Sequence, residues 1–133
     1  MSDDARDRAV KLQLRLAQLD RIDSCRNDFL TFVRAMWPEF IAGEHHKIIA
    51  EKFQRVADGS LKRLIINMAP RHTKSEFASN FLPAWFIGRN PNMKIIQATP
   101  TTELAVGFGR KVKNLLDRED YTEIFPEAKL SAD

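Results

Sequence analysis

Residues 64–81 read LIINMAPRHTKSEFASNF. Leu64-Ile65-Ile66-Asn67-Met68 is a short, nearly continuous apolar run, the pattern of a strand buried on both faces of a parallel sheet. Pro70 breaks it. A helix is predicted from near Ser75 through Phe77, Phe81 and Trp85 to about Gly88, with Pro83 kinking it or ending it early. Asn90-Pro91-Asn92 is a turn. Met93 to Ala98 then reads as a second strand of the same buried type. Thr99-Pro100 reads as an N-cap followed by proline at the first helical position. The next helix places Leu104, Phe108, Val112 and Leu115 on one face. Strand–helix–strand–helix is the start of an open parallel α/β sheet. Two buried-type strands each need neighbours on both edges. The expected sheet is therefore incomplete, and the chain is expected to be a fragment of a larger domain or to need a partner.

Upstream the pattern is helical. Asp3 to Ile22 is charge-rich with interspersed Leu12, Leu14, Leu16 and Leu19 and has no Gly or Pro, which favours helix. Its apolar spacing makes no single stripe, which suits a solvent-exposed or partner-docked arm. Ser24 can cap a second helix through Phe29, Leu30, Phe32, Val33 and Trp37, ended by Pro38. A third helix carries His46, Ile49, Ala50, Phe53 and Ala57 at helical spacing, stopped by Asp58-Gly59-Ser60. After Arg118 the chain becomes turn-like, with a short helix near Tyr121 to Phe125. The expected organisation is a charged helical arm over 1–24 and one α/β unit over 25–133.

The bulk numbers exclude several classes. The chain has 133 residues, 44% hydrophobic and 29% charged, the balance of one soluble domain. No apolar run approaches the length of a membrane span. The acidic start Met1-Ser2-Asp3-Asp4 lacks the apolar region of a secretory signal. Cys25 is the only cysteine, so there is neither a disulfide framework nor a cysteine zinc cluster, and a reducing, intracellular setting fits. Net charge is +3 and the isoelectric point about 9.2, a mild bias towards a polyanionic partner.

The chemistry concentrates at the hinge of the opening stretch. The usual phosphate-binding loop is Gly, four residues, then Gly-Lys-Ser/Thr. Here the register is Met68-Ala69-Pro70-Arg71-His72-Thr73-Lys74-Ser75. Lys74 and Ser75 are in place; Met68 and Thr73 replace the glycines. Phosphate binding needs inward-pointing backbone N–H groups at the helix start. It also needs a lysine on the β- and γ-phosphates and a hydroxyl on Mg²⁺. A β-branched Thr73 resists positive φ, so the backbone there takes another shape or carries strain of roughly 1–3 kcal/mol. The competing reading is a plain helix start, with Thr73 and Glu76 as a capping box and Lys74 solvated.

The segments RLIINMAPRHTKSEFASNFLPAWFIGRNP and KIIQATPTTELAVGFGRKVKNLL resemble the large terminase subunit of tailed bacteriophages, the ATP-driven DNA-packaging motor. The family has a deviant Pro-Arg-His-x-Lys-Ser loop after an apolar strand and a Pro-Ala-Trp soon after. These match Pro70-Arg71-His72-Thr73-Lys74-Ser75 and Pro83-Ala84-Trp85. Its upstream helical histidine matches His46, and Glu103-Leu104-Ala105 matches a recurring segment after the second strand. The resemblance spans about Phe29 to Pro126.

The resemblance implies an α/β, P-loop NTPase-like parallel sheet with flanking helices, preceded by N-terminal helices. It implies ATP and Mg²⁺ as cofactors, with Pro70, Arg71, His72, Thr73, Lys74, Ser75 and His46 at the nucleotide. Lys74 would hold the β- and γ-phosphates, Ser75 would ligate Mg²⁺, and Arg71 would neutralise charge developing on the γ-phosphate. His46 would lie on the adenine side, against the plainer alternative of a partly buried helix residue. The implied partners are double-stranded DNA, a portal protein, the small terminase subunit and further copies in a ring, with no membrane. The implied place is the host cytoplasm, at the portal vertex of the procapsid. Trp37 and Trp85 read as core. Arg110, Lys111 and Lys113 read as a solvated helix face before a DNA contact.

Hydrolysis also needs an acidic residue at the end of another strand. Neither apolar run ends in one, and no counterpart of the family's DNA-cutting carboxylates is found. The expectation is that these residues bind nucleotide weakly and are inactive alone, while the intact protein is an ATPase and endonuclease. The alternatives are a helicase-like P-loop ATPase, against which the Pro-Arg-His and Pro-Ala-Trp pair argues, and a non-enzymatic fragment docking on a portal or small terminase partner.

Overall fold

The structure is a computed structural model and describes residues 2–130. Its elements in chain order are α1 (Asp3–Asn27), α2 (Phe29–Met36), α3 (Glu44–Ala57), a π-helical turn (Glu76–Phe81), α4 (Leu82–Arg89), α5 (Thr102–Leu116) and α6 (Glu119–Ile124). None of the described helices is long and apolar enough to cross a membrane.

Aromatic side chains build the core. Phe29, at the first turn of α2, meets Phe53 of α3, Phe77 of the π turn and Trp85 of α4 edge-on, with centroids 5.4, 5.6 and 5.5 Å away. Edge-to-face pairs of this kind add about 0.5–1.5 kcal/mol each beyond area burial. Phe32, one helical turn on, packs against Tyr121 and Phe125. Side-chain hydrogen bonds to backbone carbonyls tie the helices within this cluster and at its edge. Trp85 Nε1–H donates to Cys25 O at 3.0 Å and the Tyr121 hydroxyl to Ala84 O at 2.7 Å. Arg26 Nε donates to Ile124 O at 2.6 Å and Arg118 Nη1 to Met36 O at 2.8 Å.

The joints differ in detail from the expectation. Ser24 lies inside α1, and the cap of α2 is Asp28, whose Oδ2 accepts from Thr31 N–H at 2.7 Å. The cap of α5 is Thr101, one residue beyond the expected Thr99-Pro100 pair. Pro83 neither ends nor starts a separate helix. Leu82 N–H bonds back to Phe77 O, a five-residue step. Pro83 then sits at the second position of α4, and the Ser79 carbonyl four residues back, which its missing N–H cannot serve, accepts from the Gln97 side-chain amide at 2.8 Å. α1 is continuous across residue 24, and from Val10 to Leu19 its apolar side chains are exposed.

The expected parallel sheet does not form: among the described residues there is no strand, and the architecture is all-helical. Within Leu64–Met68 only alternate residues, Leu64, Ile66 and Met68, pack against the core, while Ile65 is 87% exposed. Met93–Ala98 lies further out, with Ile96 94% exposed, held by the Gln97 amide donating to Ser79 O at 2.8 Å. No backbone hydrogen bond joins the two segments among the described residues. The reason is geometric. A strand buried on both faces needs a hydrogen-bonded neighbour at each edge and a covering layer on each side. Here the helical aromatics close the core by themselves and cover one face of one run. An apolar run is compatible with a central strand, but periodicity alone does not supply its neighbours.

Candidate phosphate-binding loop

Pro70 to Ser75 links the first apolar run to the helical stretch that begins at Lys74. Arg71 and Thr73 are the described non-glycine residues with positive φ, at 64° and 57°. Left-handed backbone is uncommon outside glycine and strained for a β-branched side chain. Thr73 stands where the usual pattern has its second glycine. The loop therefore has glycine-like backbone at a non-glycine residue. Met68, at the first glycine position, is not among the residues with positive φ.

Three contacts hold Thr73. Its hydroxyl donates to His72 O at 2.7 Å. The same oxygen receives His46 Nε2 at 2.6 Å. Its carbonyl accepts from Phe77 N–H at 3.0 Å and starts the helix. The Thr73 side chain does not cap Glu76, so the capping-box reading of Thr73 and Glu76 does not describe this turn. His72 Nδ1 reaches Pro70 O at 2.9 Å. A carbonyl only accepts, so the proton sits on Nδ1.

Lys74 Nζ donates to Met68 O at 3.1 Å, spanning the loop from end to start. No ion pair neutralises Lys74 or Arg71 among the described residues. Arg71 is exposed. Ser75 is helical and its hydroxyl makes no cap bond. A cavity of about 140 Å³ opens beside Lys74 and Ser75, walled by Ile49, Phe53, Ile66, Ala78 and Ser79. That is below the several hundred Å³ of a nucleotide pocket, so a base and sugar would sit outside it.

His46 is brought to the loop from α3. It is 7% exposed, and its ring packs against those of Phe40 and Phe77 with centroids 4.8 and 5.0 Å away. Its Nδ1 accepts from Gly43 N–H at 2.9 Å and its Nε2 meets Thr73, so both ring nitrogens are engaged within the protein. Burial, then the neighbouring His45 and His72, push its pKa below the ordinary 6.5. The structure thus joins His46, His72, Thr73, Lys74 and Ser75 in one cluster, with Arg71 at its outer side. Gly43 and the Met68 carbonyl belong to it as well. Sequence spacing gave no sign of either, because both act through backbone atoms.

Trp85 is fully buried, and Trp37 stacks on Phe81 at 6.0 Å and 11°. Arg110, Lys111 and Lys113 are exposed on α5. No group of three or more His, Cys, Asp or Glu able to hold a metal gathers among the described residues. Ser75 stands at the position where the phosphate-loop pattern has its Mg²⁺-binding hydroxyl. No family model, curated protein or solved structure matches this chain.

Proposed function

We propose that the loop Pro70–Ser75 binds the polyphosphate of ATP, and that the chain is the nucleotide-binding part of a viral DNA-packaging motor of the large-terminase kind. The observation that carries the proposal is the left-handed backbone of Thr73, at the position where phosphate loops place glycine. Lys74 and Arg71, which no ion pair neutralises among the described residues, and the helix start without a side-chain cap support it. Backbone N–H groups at a helix start present positive charge to an anion. Lys74, once released from the Met68 carbonyl, and Arg71 add cationic donors for phosphoryl oxygens. When bound, Mg²⁺ neutralises phosphate charge, and the Ser75 hydroxyl is the group placed to touch it. Association with DNA and with a portal protein rests on the family resemblance.

Calorimetry with Mg-ATPγS on this chain and on Lys74→Ala tests the proposal. Loss of one charge-assisted contact is expected to weaken binding by about tenfold or more. Equal binding by both proteins would place the nucleotide elsewhere and reject the loop as its site.

A further inference from the structure

The left-handed Thr73 raises a question that its own residue type does not answer. A β-branched side chain at φ 57° is intrinsically unfavourable, and strain of this kind persists only where the surroundings over-determine it. The surroundings here are specific. Gly43 N–H donates to His46 Nδ1, so that nitrogen keeps its lone pair and the ring proton sits on Nε2. Nε2–H then donates to Thr73 Oγ1, and the threonine hydroxyl, its lone pair taken, turns its own hydrogen to His72 O. The relay runs one way, from the N-terminus of α3 into the loop, and each member sets the direction of the next. Phe40 and Phe77 wall the imidazole, so water does not readily replace the bond. These rings carry no charge. The titratable groups near the imidazole are His45 on α3 and His72 in the loop.

We infer that His46 is a positioning residue: as the neutral Nε2–H tautomer it clamps Thr73 in the left-handed conformation and so substitutes for the glycine the loop lacks. The effect on nucleotide affinity rests on the phosphate-loop reading; the clamp itself does not. It follows that glycine at position 73 makes His46 dispensable to the loop.

Two measurements on the full chain test this. The first is ¹⁵N imidazole NMR, without nucleotide. His46 is expected as the Nε2–H tautomer at neutral pH, with a slowly exchanging ring proton that Thr73→Val exposes and Thr73→Ser retains. An Nδ1–H tautomer, or an identical His46 signal in Thr73→Val, would overturn the clamp. The second is Mg-ATPγS affinity in a double-mutant cycle. His46→Ala is expected to weaken binding about tenfold in the wild-type background and less than about twofold in the Thr73→Gly background. Equal losses in both backgrounds would also overturn it. His46→Asn serves where the alanine variant fails to fold. If the wild-type chain binds no nucleotide, or Lys74→Ala binds as well as wild type, the phosphate-loop reading fails and the NMR result alone decides the clamp.

Discussion

At the scale of single residues, the imidazole of His46 couples the loop to pH. Its folded-state pKa lies below the ordinary 6.5, chiefly through burial. Below 6.5 the unfolded chain therefore binds more protons than the folded one, and stability rises with pH. The contribution is fully present above 6.5 and is lost as pH falls from there through the lowered folded value. The loss has a structural reading, because a proton on Nδ1 removes the acceptor of Gly43 N–H. Thermal unfolding followed from pH 7.5 downward should show the melting temperature declining below 6.5. His46→Gln, which does not titrate, should flatten that upper part of the decline. An unchanged slope would show that another group governs it. That a helix opens at Lys74 and Ser75 was legible from spacing alone. The backbone angle of Thr73 was not, because a threonine takes positive φ only when neighbours distant in sequence, here 27 positions away, compel it.

Between elements, short joints set the geometry. Asp28 breaks α1 from α2 in extended backbone and caps the second helix through Thr31 N–H. The Gln54 side chain of α3 pins the same joint, accepting from Phe29 N–H at 3.1 Å and donating to Asn27 O. Asp28→Ala should lower unfolding free energy by about 1 kcal/mol, the usual worth of an N-cap; denaturant titration with an unchanged slope checks it. Near the end of α4, a Cβ on Gly88 would overlap the Phe125 ring at Cδ2. Gly88→Ala should displace that ring and destabilise the fold by about 1–3 kcal/mol, whereas Gly107→Ala, with open space around it, should be neutral or mildly stabilising through helix propensity. Most helices could be located from periodicity, since α2, α3 and α5 each repeat apolar residues at helical spacing. Their caps shifted by a few residues because Ser24, Asp28, Thr99 and Thr101 are all competent, and packing selects among them.

For the molecule as a whole, the two apolar runs decide how the chain must be read. Ile65 and Ile96 project into solvent, 87% and 94% exposed. Ile65→Lys and Ile96→Lys should each change unfolding free energy by no more than about 0.5 kcal/mol, as exposed substitutions do. In a sheet covered on both faces either change would bury an unpaired charge and destabilise by several kcal/mol. Chemical denaturation of the two variants therefore separates the all-helical arrangement from the expected sheet. Phe29→Ala, by contrast, removes the ring at the meeting point of Phe53, Phe77 and Trp85 and should cost about 3–5 kcal/mol. By itself the sequence determined where helices form, which aromatics are apolar enough to fill a core, and that Lys74 and Ser75 follow a turn at a helix start. These are local properties, written in spacing and propensity. Only the tertiary structure decided that the apolar runs stay unpaired, that Thr73 takes a glycine conformation and that His46 reaches it. Each of these depends on a partner far along the chain, and neither periodicity nor composition encodes who that partner is.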